Sequence, residues 1–452
     1  MIEVVYTGLC WVLKDDLSKA QIEKIKSSYT HINPANPEVL FSTYLELHGK
    51  IGIPLGDKAK IESILGTAKV IDKRISPEFA TKKTSKLALR DYQEDAMDEI
   101  LDYISKGGTE FNLSGKPSAG KSFMLANLLA ELNTKVLIIA NQRMLINQLS
   151  KEIEDVLGEK PNVLNSKNTK LGDINVATSQ FIAQNADVWY DIKEHIGMIV
   201  LDEAEALASP TVMKIFQRAP AKYRILISAT FTRSMDNRTG ALTDFAGHKQ
   251  VILENKNLLI PTVITVKCPE VFRIPAYNYV KHKIEFFKKE SITDKVIKIT
   301  KYSVDKNRQV LIACDIVSKQ NELCDKLNEI GIPAACLNGT TKDKERLQIL
   351  EDYDKGTLKV ILGLGVLNAG LSLPKISTII RLSTPSSEEK LEQLIGRGRR
   401  SFEGKEGCFV IDLIFTGFNV KKRIQFYALK ERKEKWKVFN VEWSTFQEKY
   451  LQ

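Results

Sequence analysis

The stretch GKPSAGKS, Gly115 to Ser122, restricts the fold of this chain more than any other. It satisfies the pattern G-x-x-x-x-G-K-[ST] in full. Glycines let backbone N–H groups curl around phosphate oxygens, Lys121 reaches the outer phosphates, and the Ser122 hydroxyl is a Mg²⁺ ligand. Such a loop must leave a buried strand and open a helix, so that the positive helix end points at the anion. The flanks agree: Phe111–Leu113 is an apolar run before it, and FMLANLLAEL (Phe123–Leu132) reads as an amphipathic helix after it. Gly115, Lys116, Pro117, Ser118, Ala119, Gly120, Lys121 and Ser122 are therefore the candidate phosphate cradle.

Around this loop the sequence alternates short β-rich runs with helical patterns. VLIIAN (Val136–Asn141), INVATS (Ile174–Ser179), GMIVLDEA (Gly197–Ala204) and RILISAT (Arg224–Thr230) are unbroken apolar runs, as in strands buried on both faces of a parallel sheet. Their polar endings put Asp202 and Ser228 at the carboxyl ends of strands, where such sheets bind ligands. The second half repeats the pattern in QVLIACD, IPAACLN, KVILGLG, STIIRLS and GCFVIDL, without a phosphate loop of its own. Two α/β units follow, over residues 87–260 and 261–452, with the join near Asn257–Pro261. Residues 1–86 read differently, as a small α+β accessory domain: strands in EVVYTGLCWVL and ELHGKIGIPL, a helix in SKAQIEKIKSSY, and a helix in GDKAKIESILG with Asp57 as N-cap. The basic connector Thr81–Lys86 joins it to the rest.

A length of 452 residues supports two or three domains. No apolar run reaches the length of about 18 residues that spans a bilayer, and MIEVVYTGLCWVLKDD lacks the basic start of a signal peptide. A cytoplasmic protein without a membrane partner is expected. The 6 cysteines are scattered, with no C-x-x-C pair and only 5 histidines, which argues against a zinc site or a disulfide framework. The formal charge of +10 favours a polyanionic partner. Basic residues concentrate in Lys281–Arg308 and in the tail beyond Ile414, where Phe426, Tyr427, Trp436, Phe439, Trp443, Phe446 and Tyr450 alternate with them. Such a tail can grip phosphates and stack bases; equally, its aromatics can pack on the preceding domain.

In LDEAE (Leu201–Glu205) two adjacent acids end a buried run. Asp202 can hold Mg²⁺ and Glu203 can orient and deprotonate a water that attacks a phosphate. SAT (Ser228–Thr230) ends the next run, and QLIGRGRR spans Gln393–Arg400.

The series of phosphate loop, D-E-x-x, S-A-T and Q-x-x-G-R-x-x-R, over about Leu87–Leu413, resembles the superfamily 2 helicases and translocases. That resemblance implies two tandem RecA-like parallel-sheet domains and hydrolysis of ATP with Mg²⁺. It implies an adenine-recognition element in LRDYQ, with Gln93 reading the base and Arg90 in support. Arg143, Thr178 and Gln180 correspond to strand-contacting positions, Ser228 and Thr230 to the coupling motif, and Gln393, Arg397 and Arg400 to residues that reach the nucleotide from the second domain. The sequence departs from the family at three places: Glu205 where His or Asp is usual, Leu364 for a common threonine, and Ser372 for a common aspartate. The final motif, the G-L-S variant at Gly370–Ser372 and the small leading domain are similar to phage recombination and repair helicases of the UvsW type, akin in activity to RecG-like branch-migration motors. An ATP-driven DNA helicase or translocase acting on forks or Holliday junctions is therefore expected, with an RNA helicase as the alternative. A non-catalytic nucleic-acid scaffold is the rival from another class.

Overall fold

The computed structural model describes the chain apart from residues 1, 34–35, 117–118, 205–208, 229–238, 256, 275–276, 364–372, 374, 383–387, 419 and 452. Pro117, Ser118, Glu205, Thr230, Leu364 and Ser372 thus lie outside the described residues, as does the Gln393 side chain. The chain divides into two compact units, residues 1–255 and 256–452.

In the first 86 residues both long strand candidates fold as hairpins. Strand β1 (Ile2–Tyr6) turns back into β2 (Cys10–Leu13), and β5 (Leu45–Leu47) into β6 (Lys50–Ile53). The second turn is made at His48 and Gly49, both with positive φ. With β7 (Ala68–Asp72) they form a sheet of order β5-β6-β2-β1-β7, and β3 (Thr30–Asn33) pairs separately with β4 (Asn36–Ser42). Helices Lys19–Ser28 and Lys58–Leu65 start at Ser18 and Asp57, whose side chains accept the N–H of Gln21 (3.2 Å) and Lys60 (2.9 Å).

This α+β part is seated tightly on the α/β sheet of the same unit. Buried Arg224 donates to the Thr7 (3.2 Å) and Gly8 (2.7 Å) carbonyls, and Leu9 joins the hydrophobic cluster of Phe216, Leu226 and Phe245. A Cβ on Gly8 would lie 2.2 Å from the Gln217 carbonyl oxygen, so only glycine permits this approach. Asp244 accepts from Thr43 and pairs with His31 Nε2 at 2.6 Å. The basic connector is also anchored: Lys83 pairs with Glu159 and Asp173, and the Lys86 N–H donates to the Val156 carbonyl at 2.7 Å.

The α/β part of the first unit is a seven-stranded sheet of order β10-β11-β9-β12-β13-β8-β14. Its strands are β8 (Glu110–Gly115), β9 (Val136–Ala140), β10 (Asn162–Val163), β11 (Ile174–Thr178), β12 (Met198–Asp202), β13 (Tyr223–Ser228) and β14 (Gln250–Leu253). Every pairing is parallel. β8, β9 and β13 are buried at every residue, which is why their sequences show no alternation. The second unit repeats the plan in the order β17-β18-β16-β19-β20-β15-β21. Its strands are β15 (Pro261–Val271), β16 (Gln309–Ala313), β17 (Ala334–Cys336), β18 (Val360–Leu362), β19 (Ile376–Arg381), β20 (Cys408–Thr416) and β21 (Lys437–Glu442), again all parallel. Two tandem RecA-like domains behind a small α+β region are thus in place.

The tail belongs to this second core. Its helices Lys421–Glu434 and Trp443–Tyr450 flank the edge strand β21, and Phe426, Tyr427, Trp436 and Phe446 are buried. For these four rings the packing alternative holds; Phe439, on the outward side of the edge strand, stays exposed.

Asp412 in β20 ties the tail to the sheet. Its carboxylate accepts from Arg381 (2.9 Å), Arg423 (2.8 Å) and the Tyr427 hydroxyl (3.0 Å), and all four groups are buried. Removing the carboxylate leaves two guanidinium groups without a counter-charge, so Asp412→Ala is expected to destabilise the second unit by about 3–5 kcal/mol. Urea denaturation followed by far-UV circular dichroism measures this; a loss below about 1 kcal/mol would show the network to be dispensable.

Candidate nucleotide-binding site

The phosphate loop leaves β8 at Gly115 and enters helix Lys121–Leu132 through Gly120, whose φ of 80° lies in the left-handed region. A Cβ on Gly115 would come within 3.0 Å of Ala119 Cβ and 3.1 Å of Leu253 Cβ, so the loop's first turn packs tightly against β14. The start of helix Asp91–Ser105 braces the loop. The Tyr92 hydroxyl donates to the Ala119 carbonyl (3.0 Å), and Gln93 Nε2 donates to the Gly120 carbonyl (3.4 Å). Gln93 Oε1 in turn accepts the Arg90 N–H at 3.1 Å. Gln93 is buried beside the loop while Arg90 is exposed. Tyr92 was not singled out from the sequence; its position one residue before Gln93 in LRDYQ was the available signal.

Lys121 Nζ donates to the Gly115 carbonyl at 2.8 Å, and its charge also acts on Asp202. Asp202 ends β12, and its carboxyl group is pushed up to about 7, first by burial and next by Glu203, with Lys121 opposing. Two adjoining carboxylates in a low-dielectric setting favour a cation between them and a phosphate. Glu203 has φ 52°, a left-handed conformation that costs a non-glycine residue roughly 1–2 kcal/mol. The backbone thus turns sharply at the strand end and carries Glu203 away from the β12 direction. Ser122, Asp202 and Glu203 offer hard oxygen donors that suit Mg²⁺. Among the described residues no group of three or more His, Cys, Asp or Glu could hold a metal ion. Hard oxygen donors of this kind suit an ion that keeps several waters and takes further ligands from phosphates.

The other predicted residues of this domain share that edge. Arg143 opens helix Arg143–Leu157 just past β9 and is exposed. Thr178 ends β11, and its hydroxyl accepts the Phe181 N–H at 3.1 Å, capping helix Ser179–Gln184 on which Gln180 is exposed. Ser228 ends β13, fully buried, opposite Ser114. Across the sheet, the carboxyl ends of β11, β9, β12, β13 and β8 thus carry Thr178, Arg143, Asp202, Ser228 and the phosphate loop in that order.

In the second unit Gln393 and Arg397 lie on helix Glu388–Gly398 and Arg400 just beyond it. The three arginines of GRGRR divide. Arg399 is buried, donates to the Leu259 carbonyl (3.2 Å) and Glu434 (3.3 Å), and lies over the Trp436 ring. Arg397 and Arg400 are half-exposed. Lys405 closes the helix end by donating to the Gly398 (2.7 Å) and Arg400 (2.8 Å) carbonyls, and burial lowers its ammonium pKa to about 8.

Residues 86–233 match the family described as type III restriction enzyme, res subunit, and residues 288–401 match the helicase conserved C-terminal domain. The two matches together support a superfamily 2 helicase. Among its relatives, the probable helicase D10 of Escherichia phage T5 is 25% identical over 308 residues, covering 68% of each chain. The putative mitochondrial ATP-dependent helicase irc3 of Schizosaccharomyces pombe is 26% identical over 349 residues, 72% of this chain and 57% of that protein. The UvrABC system protein B of Bacillus subtilis is 27% identical over 254 residues, 54% of this chain and 37% of that one. The chain therefore spans about two thirds of the phage relative, little more than half of the yeast one and about a third of the bacterial one. In fold it is similar to Mss116p bound to ssRNA and AMP-PNP (TM-score 0.55, 16% identity, covering 82% of this chain and 81% of that one). It is likewise similar to Saccharomyces cerevisiae Dbp5 L327V bound to RNA and ADP BeF3 (TM-score 0.56, 15% identity, 82% and 100% covered). No helix among the described residues is long and apolar enough to cross a membrane.

Proposed function

We propose that this chain is a superfamily 2 helicase acting as an ATP-driven motor on DNA, remodelling branched substrates such as forks and Holliday junctions in replication, recombination or repair. The observation that carries the reading is the row of strand ends in the first unit. Phosphate loop, paired acids and the polar residues Arg143, Thr178 and Gln180 occupy one edge of one rigid sheet. A change at the triphosphate is there a few strands from a change in grip on the nucleic acid. The charge of +10 supports a polyanionic partner, and the match to a restriction-enzyme subunit supports DNA as that polyanion.

In this assignment Lys121 and the loop N–H groups hold the phosphates, and Gln93 reads the adenine beside Arg90. Ser122 and Asp202 would hold Mg²⁺, which supplies charge neutralisation at the β- and γ-phosphates when bound. Glu203 orients the attacking water and takes its proton. Arg397 and Arg400, with Gln393, serve the outer phosphates. Arg143, Thr178 and Gln180 hold the strand mainly through its phosphates, and Ser228 with Thr230 couples the two events. Binding is then sequence-tolerant and steeply salt-dependent.

Steady-state ATP hydrolysis measured with forked DNA, four-way junctions, linear duplex and structured RNA tests this directly. Forked and four-way DNA are expected to stimulate turnover most. Stronger stimulation by RNA would overturn the DNA assignment, and equal stimulation by linear duplex would overturn the preference for branches.

A further inference from the structure

Among the described residues after β15, exposed aromatic, apolar and cationic side chains stand together in sequence, and no site described above uses them. Phe272 anchors the start of this segment, stacked on Phe418 at 4.4 Å and edge-on to Phe286 at 5.4 Å. Beyond this anchor the large apolar side chains face outward: Ile274 is 72% exposed, Tyr277 74% and Val280 67%. An exposed apolar cluster of this kind usually marks an interaction surface. From Val271 to Ile284 the sequence carries Arg273, Lys281, His282 and Lys283 and no acidic residue at all. Asn278, at φ 53°, opens helix Tyr279–Phe287, and Lys283 on that helix binds Asp315 at 2.7 Å just past the end of β16. Phe272 and helix Tyr279–Phe287 are thereby held at the carboxyl ends of β15 and β16, the side of a parallel sheet on which ligands bind.

We propose that this segment is a base-stacking platform for a single nucleic-acid strand, with Tyr277 as the stacking ring, Ile274 and Val280 as its apolar flanks, and Arg273 and Lys281 on the phosphates. Tyr277 meets His282 at right angles, ring centroids 6.1 Å apart, and the cations around it, with no acid among them, answer a polyanion. A single strand offers both a flat π-face and a phosphate in every nucleotide. The platform rests on the reading of this helicase as a nucleic-acid motor and adds to it a contact in the second unit outside the motifs that carry the family resemblance.

Fluorescence anisotropy with labelled oligothymidylate, and with an abasic oligomer of the same length, tests it. The wild-type protein is expected to prefer the oligomer with bases. Tyr277→Ala weakens oligothymidylate binding at least about fivefold and abolishes the preference over the abasic strand, whereas Tyr277→Phe keeps both. Lys281→Ala weakens both oligomers alike and lowers the salt slope by about one. An unchanged thermal midpoint shows that Tyr277→Ala is folded, as its exposure requires. Equal oligothymidylate affinity in wild type and Tyr277→Ala overturns the platform alone. Absence of any binding by the wild-type protein, to DNA or RNA, overturns the nucleic-acid reading and the platform with it.

Discussion

Arg397→Ala and Arg400→Ala are each expected to lower nucleic-acid-stimulated ATP turnover by about 10³-fold or more, whereas Arg399→Ala acts first on stability. The separation follows from the surroundings of three residues in one short motif. Arg399 has its guanidinium committed to the Leu259 carbonyl, Glu434 and the face of Trp436, all within the second unit. Its loss unties the helix that carries the motif from the segment before β15 and from the tail, costing roughly 2–3 kcal/mol. Arg397 and Arg400 remain half-exposed, which a cation must be if it is to meet the charge that develops on a transferring γ-phosphoryl group. Steady-state hydrolysis at saturating DNA, paired with thermal unfolding of each variant, separates the two effects. Turnover within a few fold of wild type in folded Arg397→Ala and Arg400→Ala proteins would remove these side chains from the chemistry.

The same motif shows what a sequence can and cannot disclose. Q-x-x-G-R-x-x-R marks Arg397 and Arg400 by spacing alone. The role of Arg399 depends on Trp436 and Glu434, which follow it by more than thirty residues and meet it only in the folded second unit. The central strands were legible because burial on both faces removes any alternation from β9, β11, β12 and β13. The edge strands were so only in part: IPAACLN disclosed β17, whereas β10, β14 and β21 went unread. β21 reads KVFNVE, half polar, and becomes a strand because β15 offers it a parallel partner over Thr262–Lys267. The hairpins at the N-terminus were hidden for a related reason: Thr7–Leu9 is too apolar to announce a turn, since Gly8 and Leu9 are buried against the neighbouring α/β domain. The tail illustrates an ambiguity that only packing resolves. Basic and aromatic residues alternate there as in a strand-binding surface, yet Phe426, Tyr427 and Trp436 fill the core under β15 and β20. The accessory region was legible as a separate fold but not as a fused one, because its attachment runs partly through backbone carbonyls, at Thr7 and Gly8, and partly through side-chain pairs such as His31–Asp244, more than two hundred residues apart.

Glu203→Gln is expected to slow ATP hydrolysis by about 10²–10⁴-fold while nucleotide binding stays within a few fold of wild type. The substitution keeps the size of the side chain and leaves the turn at φ 52° intact, so the route by which the backbone presents residue 203 does not change. What is lost is the group that can accept a proton from water. Lys121→Ala provides the contrast. It removes the ammonium that lies by the Gly115 carbonyl and acts on Asp202, and so weakens triphosphate binding itself. A fluorescent ATP analogue reports binding and a single-turnover assay reports cleavage, so the two variants should separate: Glu203→Gln binds without cleaving, Lys121→Ala scarcely binds. Full single-turnover hydrolysis by Glu203→Gln would transfer the proton to another group, and Asp202, already engaged by neighbouring charge and burial, would be the first to test. Equal loss of binding in both variants would instead make Glu203 part of the phosphate and metal cradle, with the strained turn serving cation binding in place of water activation.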